Sequence, residues 1–350
     1  MRRTSTIVMS LVMVACLVGP ALACAGLVAP NGSVKLLRTA TLAGYANGVE
    51  HYITSFSFQG GGAKFGSIVP LPDIPSKVTR GGDWTLQRLE REVTPPAPTA
   101  AESDSSAGGS GKEAEEIYET EIDGLKITIL RGGARAVGTW AKNEGFKLSP
   151  DTPEVLHFYA QRSKIFMAAR FVPERAEEEQ LAEGDGIPIH LRIPTDDPWV
   201  PLRILGLGKR PYQDINANVF LLTEAQPTLL PAPKEAGTPR GMVLDRSEQA
   251  SDSLMNDLRS DKGMGWLPED MWLTYLRLSI NARNLTYDLA IDETGQGTPS
   301  EEDAYGKAPE DQQQQSAAVP GGVFSWAWLA LPLVGVGALR KKRIRIRVPR

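Results

Sequence analysis

Cysteine and histidine are nearly absent from this chain. Two cysteines and three histidines stand among 350 residues. Cys16 lies in an apolar leader, so Cys24 is the one thiol left once that leader is removed. A single thiol closes no intrachain disulfide and builds no cysteine-based zinc site, so stability outside a cell has to come from a packed core. HExxH spacing and the GxSxG elbow are both missing. Gly108-Gly109-Ser110-Gly111-Lys112 falls short of a phosphate loop, because Ser106 and Glu113 occupy the positions that need Gly and Ser or Thr. Gly206-Leu207-Gly208-Lys209 is equally incomplete. Charged residues make up 23% against 41% hydrophobic and 7% aromatic. That balance excludes both a disordered polyelectrolyte and a multi-span membrane protein.

What is present is strongest at the two ends. Residues 1–23 read as a secretory signal: Arg2 and Arg3 open it, Ile7 to Val18 are apolar, and Ala21-Leu22-Ala23 makes a small-x-small cleavage site. Cys24 would then begin the mature chain. Acylation of Cys24 as in a lipoprotein is an alternative to plain cleavage, although Ala21 stands where Leu is expected. Near the other end, 323–339 is a run of 17 residues without a charge, at the lower edge of the roughly 17–25 that cross a bilayer. Trp326 and Trp328 sit at its outer end and a basic cluster begins at Arg340. The sequence therefore predicts one C-terminal transmembrane helix, with the N-terminal domain extracytoplasmic and the C-terminus cytoplasmic. The basic tail 340–350 would lie on anionic lipid, a membrane-lipid partner shared with 323–339. A cleaved sorting tail beginning near Val319-Pro320-Gly321-Gly322 is a second reading of the same layout.

Charge is segregated along the chain. The net charge of −4 combines 38 bases and 42 acids, yet nine of the bases stand in the leader and tail, which hold no acid. The part between is strongly acidic and repels phosphate backbones, so no nucleic acid is expected as partner. Much of that excess lies in 94–116 and 292–322, both rich in Pro, Gly, Ser, Gln and acids. The first reads as a disordered insertion and the second as a disordered acidic stalk. Asp292 to Asp303, with Gly297 in sixth place, echoes a calcium loop but lacks its acids at Thr294 and Gln296. Stalk is the better reading.

Between these segments, 24–291 reads as one extracytoplasmic α+β domain. Asn47-Gly48 and Asp123-Gly124 signal hairpins, the first joining β-prone runs at 33–44 and 49–58 with Tyr52, Thr54, Phe56 and Phe58 on a core face. Further strands are predicted at 66–70, 165–172, 187–193, 200–205, 217–223 and 272–280. Helices are predicted at 134–142, at 153–161 with Thr152 as cap, near 248–258, and from the cap Asp83 to about Glu92. Strands outnumber helices and several connect directly, which gives a mixed, largely antiparallel sheet with a few helices.

Chemistry is sparse in this region. His157 falls on the polar side of its helix, and His190 shares a face with Arg192. His51 lies opposite Tyr52, beside Val49 and Ile53. Asp196-Asp197 before Pro198 fits a turn better than a glycosidase pair. No catalytic, cofactor-binding or metal-ligating residue is assigned, and no cofactor is implied.

Several stretches resemble the bacterial domain of unknown function 2330 family. They are Val49-Glu50-His51-Tyr52-Ile53-Thr54-Ser55-Phe56, Phe65-Gly66-Ser67-Ile68-Val69-Pro70-Leu71-Pro72, Gly82-Asp83-Trp84-Thr85-Leu86-Gln87-Arg88-Leu89, and Arg192-Ile193-Pro194-Thr195 leading into Trp199-Val200-Pro201-Leu202-Arg203. The resemblance implies an exported, envelope-associated protein over about 25–290 and carries no site residues. The expectation is a non-enzymatic binding or envelope-interaction module with an envelope protein or polymer as partner. The competing class is an envelope hydrolase assembled around His51 and carboxylates, which a pocket joining His51 to two acids would favour.

Overall fold

The computed structural model describes residues 26–28, 35–38, 40–59, 65–94, 118–172, 187–234, 237–238 and 240–307. The expected signal peptide, nearly all of the insertion, the transmembrane run 323–339 and the basic tail lie outside these residues. Among the described residues no helix is long and apolar enough to cross a membrane.

Two β-sheets carry the fold. The larger runs β14 (Met242–Gln249), β15 (Trp272–Asn281), β12 (Asp214–Thr223), β3 (Ala40–Ala46), β4 (Val49–Gln59), β10 (Ile187–Pro194) and β6 (Lys77–Arg80), with β2 (Lys35–Arg38) on the far end of β4. Only the β12–β3 pair is parallel. The smaller sheet runs β1 (Gly26–Val28), β5 (Gly66–Leu71), β9 (Ile165–Phe171), β8 (Leu125–Arg131) and β7 (Tyr118–Ile122), antiparallel throughout. A short third sheet joins β11 (Trp199–Val200), β16 (Leu289–Asp292) and β13 (Thr228–Leu230). The mixed, mostly antiparallel α+β class expected from the sequence is the one observed.

Both expected hairpins form. Asn47 and Gly48 take φ of 54° and 73°, and Asp123 takes 45°, the left-handed conformations that a two-residue turn demands. From the first turn the register of the large sheet follows, with Thr41 opposite Thr54 and Gly44 opposite His51.

Alternation along each strand sorts side chains between two faces. Inner faces of the two sheets meet over Tyr52, Val69, Ile127, Met167, Leu191 and Leu221. The outer face of the large sheet carries Leu42, Ile53 and Phe220 and is covered by α1 (Thr85–Val93) and α4 (Asp252–Ser260) through Leu86, Leu89, Leu254 and Leu258. The outer face of the small sheet is covered by α2 (Ala134–Asn143) and α3 (Thr152–Ala160) through Val137, Trp140 and Tyr159. Each Leu or Ile buried in these layers contributes roughly 1.5–3 kcal/mol. Because helices cover both outer faces, the central strands are buried on both sides. Glu50 and His51, neighbours on β4, are thus both buried while pointing in opposite directions.

Several expectations need correction. Asp83 does not cap α1, whose flanking residue is Trp84; the Asp261 carboxylate, distant in sequence, instead binds the Asp83 and Trp84 N–H groups just before the helix. α3 begins at Thr152 with Asp151 as the flanking residue. In place of a strand at 200–205 there is the two-residue β11 and a 3-10 turn at Arg203–Gly206. The helix predicted near 248–258 forms but starts later: β14 ends at Gln249, α4 spans Asp252–Ser260, and Ser251 caps it by accepting from the Leu254 N–H at 3.2 Å. β14 is an edge strand with a bulge after Leu244 and mostly exposed side chains, so it has no apolar alternation to read. The acidic segment 292–322 is not stalk from its start. The Asp292 carboxylate accepts from Thr294 Oγ1 and the Gly297 N–H, and α5 (Glu301–Tyr305) follows, buried through Ala304. Composition marks this stretch as solvated, but a single turn and one apolar contact suffice to dock it.

Candidate anion-binding site

The helices on the outer face of the large sheet stop short of its β6 edge. Residues 77 and 79 of β6 and 190 and 192 of β10 share that face, because Lys77 pairs with Arg192 and Thr79 with His190. Two loops close the gap, Gly82–Asp83 before α1 and Lys262–Trp266 after α4. The result is a cavity of about 460 Å³ lined by Lys77, Thr79, Arg80, His190, Arg192, Lys262 and Trp266, with Gly82, Asp83, Gly263 and Gly265 at its loops.

Asp261 fastens the two loops together. Its carboxylate accepts from the Asp83 and Trp84 N–H groups at 3.0 Å, from Thr85 Oγ1 at 2.7 Å and from the Lys262 N–H at 2.8 Å. Gly82, at φ 77°, leaves no room for a side chain, since a Cβ there would lie 2.6 Å from the Asp261 carboxylate.

Behind the cavity two histidines meet. His51 Nδ1 and His190 Nε2 stand 2.9 Å apart, so one donates to the other. The Trp266 indole stacks on His51 with ring centres 3.5 Å apart and planes within 10°. It also lies over Gly44, where a Cβ would come within 2.5 Å of the ring; the strand position opposite His51 must therefore be glycine. Burial holds both histidines neutral. His51 is pushed down to about 3 by burial, then by His190 and Arg192, and His190 to about 4 by burial, then by Arg192 and Lys77. Neutral imidazoles in a hydrogen-bonded, mutually tilted pair are packing and hydrogen-bonding elements here.

Charge in the cavity is lopsided. Arg80 is engaged by Asp83 and Asp123. Lys77, Arg192 and Lys262 form no ion pair with a described residue. The backbone N–H groups of Gly263 and Gly265 donate to no described group, and the buried Trp266 Nε1–H has no partner either. Among the lining residues Asp83 is the one carboxylate and is paired with Arg80, while Asp123 beside the cavity pairs with Arg80 and acts electrostatically on Lys262.

A model of the family described as an uncharacterized protein conserved in bacteria (DUF2330) matches residues 18–290. The chain belongs to that family. No curated protein matches it. Among solved structures, baculovirus P35 is similar at a TM-score of 0.41 and 8% identity, covering 75% of this chain and 98% of that one. P35 in the complex with caspase-8 gives 0.34 at 7% identity over 74% and 96%, and a mutated P35 after caspase cleavage gives 0.38 at 7% over 73% and 99%. At these TM-scores the likeness implies neither a shared fold nor a shared activity.

Within this DUF2330 chain, the residues weighed from sequence separate. His51 and His190 come together, whereas His157 is exposed on α3 beside Gln161. His51 itself does not line the cavity, and Glu50 points to the opposite face of β4. Neither Glu50 oxygen has a hydrogen-bond partner among the described residues. Burial pushes Glu50 up to about 8; the Trp199 N–H opposes this from a position short of hydrogen-bond geometry. Asp196 and Asp197 form the exposed turn expected, the Asp197 N–H donating to Thr195 Oγ1 at 3.2 Å. Among the described residues no group of three or more His, Cys, Asp or Glu is placed to hold a metal ion. Sequence reading passed over Lys77, Lys262 and Trp266. They come from two segments far apart in sequence with no motif, and only the shared face of His190 and Arg192 hinted at the wall they complete.

Proposed function

We propose that this DUF2330 protein is a single-pass, membrane-anchored extracytoplasmic binding module that acts by recognition and not by catalysis. The charge pattern of 1–23 and of 323–350 supports the export and the anchor. The observation that carries the binding reading is the cavity at the β6 edge, where three cations without ion-pair partners among the described residues converge and the lining acid Asp83 is engaged by Arg80. A hydrolase built on His51 would be favoured by a pocket joining it to two carboxylates, whereas this cavity is lined by one carboxylate, Asp83, and not by His51. A surface pocket of this kind on a tethered domain serves to hold a component of the cell envelope.

The test is made on cells carrying the full chain. Expected is sedimentation with membranes, resistance to alkaline extraction, and digestion of the domain by protease added outside the cytoplasmic membrane. Purified full-length protein is expected to turn over none of a panel of ester, glycoside and phosphoester substrates. Recovery in the soluble cytosol would overturn the anchor, and turnover abolished by His51→Ala would overturn the non-catalytic reading.

A further inference from the structure

Resting on that reading, we propose that the cavity at the β6 edge binds a phosphate group borne on a sugar or polyol, held by Lys77, Arg192 and Lys262. The lining supplies four cations against Asp83 alone. An arrangement of that sign, half enclosed by low-dielectric walls, concentrates anions and disfavours neutral or cationic ligands. Its cations come from three different elements, β6, β10 and the loop after α4. Approach from several directions suits a tetrahedral group with several terminal oxygens better than a planar carboxylate, which is matched by one guanidinium fork.

Two further features point to a missing oxygen-rich partner. Gly263, at φ 80°, and Gly265 present backbone N–H groups that donate to nothing described, the kind of concavity that cradles anions. The Trp266 Nε1–H is buried beside this loop and has no acceptor among the described residues, whereas buried donors normally have one. The wall is also set in advance. Asp261 ties the 82–85 and 261–262 segments together, and Gly44 and His51 hold the Trp266 ring in place, so little ordering remains to be done on binding. At about 460 Å³ the cavity exceeds what a phosphate alone would fill, and falls in the range of roughly 300–1,000 Å³ that accommodates a small organic ligand. The remaining space, beside an indole and Thr79, fits the carbon skeleton of a sugar or polyol.

The same group can arrive free or as the headgroup of a lipid, and the arms of the experiment separate these sources. Full-length protein in neutral detergent is titrated calorimetrically with inorganic phosphate, glycerol 3-phosphate, dihexanoyl phosphatidylglycerol and glucuronate at matched ionic strength. Glycerol 3-phosphate is expected to bind more tightly than inorganic phosphate. Arg192→Gln and Lys262→Gln, both at exposed positions, should each weaken it roughly tenfold. Asp83→Asn, which removes the opposing charge, should tighten it about threefold. Arg192→Lys should retain most of the binding, and unchanged thermal melting of each variant excludes misfolding.

Absence of binding by both phosphates, or wild-type affinity in Arg192→Gln, would overturn the proposal. Equal or tighter binding of glucuronate would overturn the phosphate assignment while leaving the binding-module reading intact. Preference for the phosphatidylglycerol would support the phosphate group with a lipid as its source, and preference for glycerol 3-phosphate would support a soluble one. Release of inorganic phosphate from glycerol 3-phosphate, lost in Arg192→Gln, would support the site and sink the non-catalytic reading instead.

Discussion

Two cavities of similar size, about 460 and 480 Å³, present opposite chemistry. The first, at the β6 edge, is lined by Lys77, Arg80, Arg192 and Lys262 against Asp83. The second is lined by Asp73, Asp196, Asp197 and Asp303 against Arg162. Their minority charges explain the difference. In the second cavity Arg162 is 97% buried, paired with the Asp288 carboxylate and packed against the rings of Phe158 and Trp199 at 4.4 and 4.3 Å. It is a structural cation already consumed by the fold. Of its surrounding acids Asp73, Asp196 and Asp197 sit in loops, where the Asp73 carboxylate accepts from the Ile74 N–H and the Asp197 N–H donates to Thr195 Oγ1, and Asp303 sits in the short α5. In the first cavity the acid Asp83 is the consumed group, held by Arg80, and Lys77, Arg192 and Lys262 project from paired strands and a tethered loop without an ion-pair partner among the described residues. Unspent charge on rigid elements marks a place for a ligand; unspent charge in loop turns is solvated surface.

The sharpest way to break this comparison is to attack the structural cation. Arg162→Ala leaves Asp288 buried without its counter-charge, and should cost about 3–5 kcal/mol in urea unfolding. A loss below 1 kcal/mol would mean that Arg162 is as free as Lys77, and the contrast between the cavities would fall.

Next in size comes the acid on the far side of β4. Folded protein keeps a proton on Glu50 up to about pH 8, whereas the unfolded chain releases it near 4.5, so stability falls as pH rises between those values. Glu50→Gln should remove that slope and exceed wild type by on the order of 2–4 kcal/mol at pH 8.5, with no gain at pH 4. The histidine pair behind the cationic cavity acts with opposite sign. Unfolded histidines take protons near 6.5 and the folded ones only at about 3 and 4, so stability is lost as pH falls below 6.5. Unfolding of His51→Gln/His190→Gln followed from pH 7 to pH 4 should show that acid limb flattened.

Gly44→Ala pushes a methyl into the Trp266 ring, and should cost roughly 1–3 kcal/mol with a visible change in tryptophan fluorescence. The smallest effect is expected at the acidic cavity. Asp196→Asn should change stability by less than about 0.5 kcal/mol, because an exposed turn carboxylate has no partner to lose.

How much of this was legible depends on whether the signal was local. Asn47-Gly48 and Asp123-Gly124 need left-handed backbone that few residues adopt, and both hairpins could be read directly. Apolar runs at 165–171 and 217–222 specified strands, and the α+β class followed. β14, with its bulge and exposed side chains, and the docked turn at Asp292 carried no such pattern. The pairing of His51 with His190 was likewise hidden: each sat on an identifiable face, but 139 residues separate them, and only strand register decided that the faces coincide.

Sequence by itself determined the local geometry and the segregation of charge toward the ends, because each rests on residue type and near neighbours. Tertiary structure alone decided that Glu50 and His51 are both buried yet point apart, that Asp261 fastens the segment before α1 from far along the chain, and that Lys77, Arg192 and Lys262 share one cavity. Such facts arise when sheets are covered on two faces and strands distant in sequence are set side by side, and no local preference encodes that arrangement.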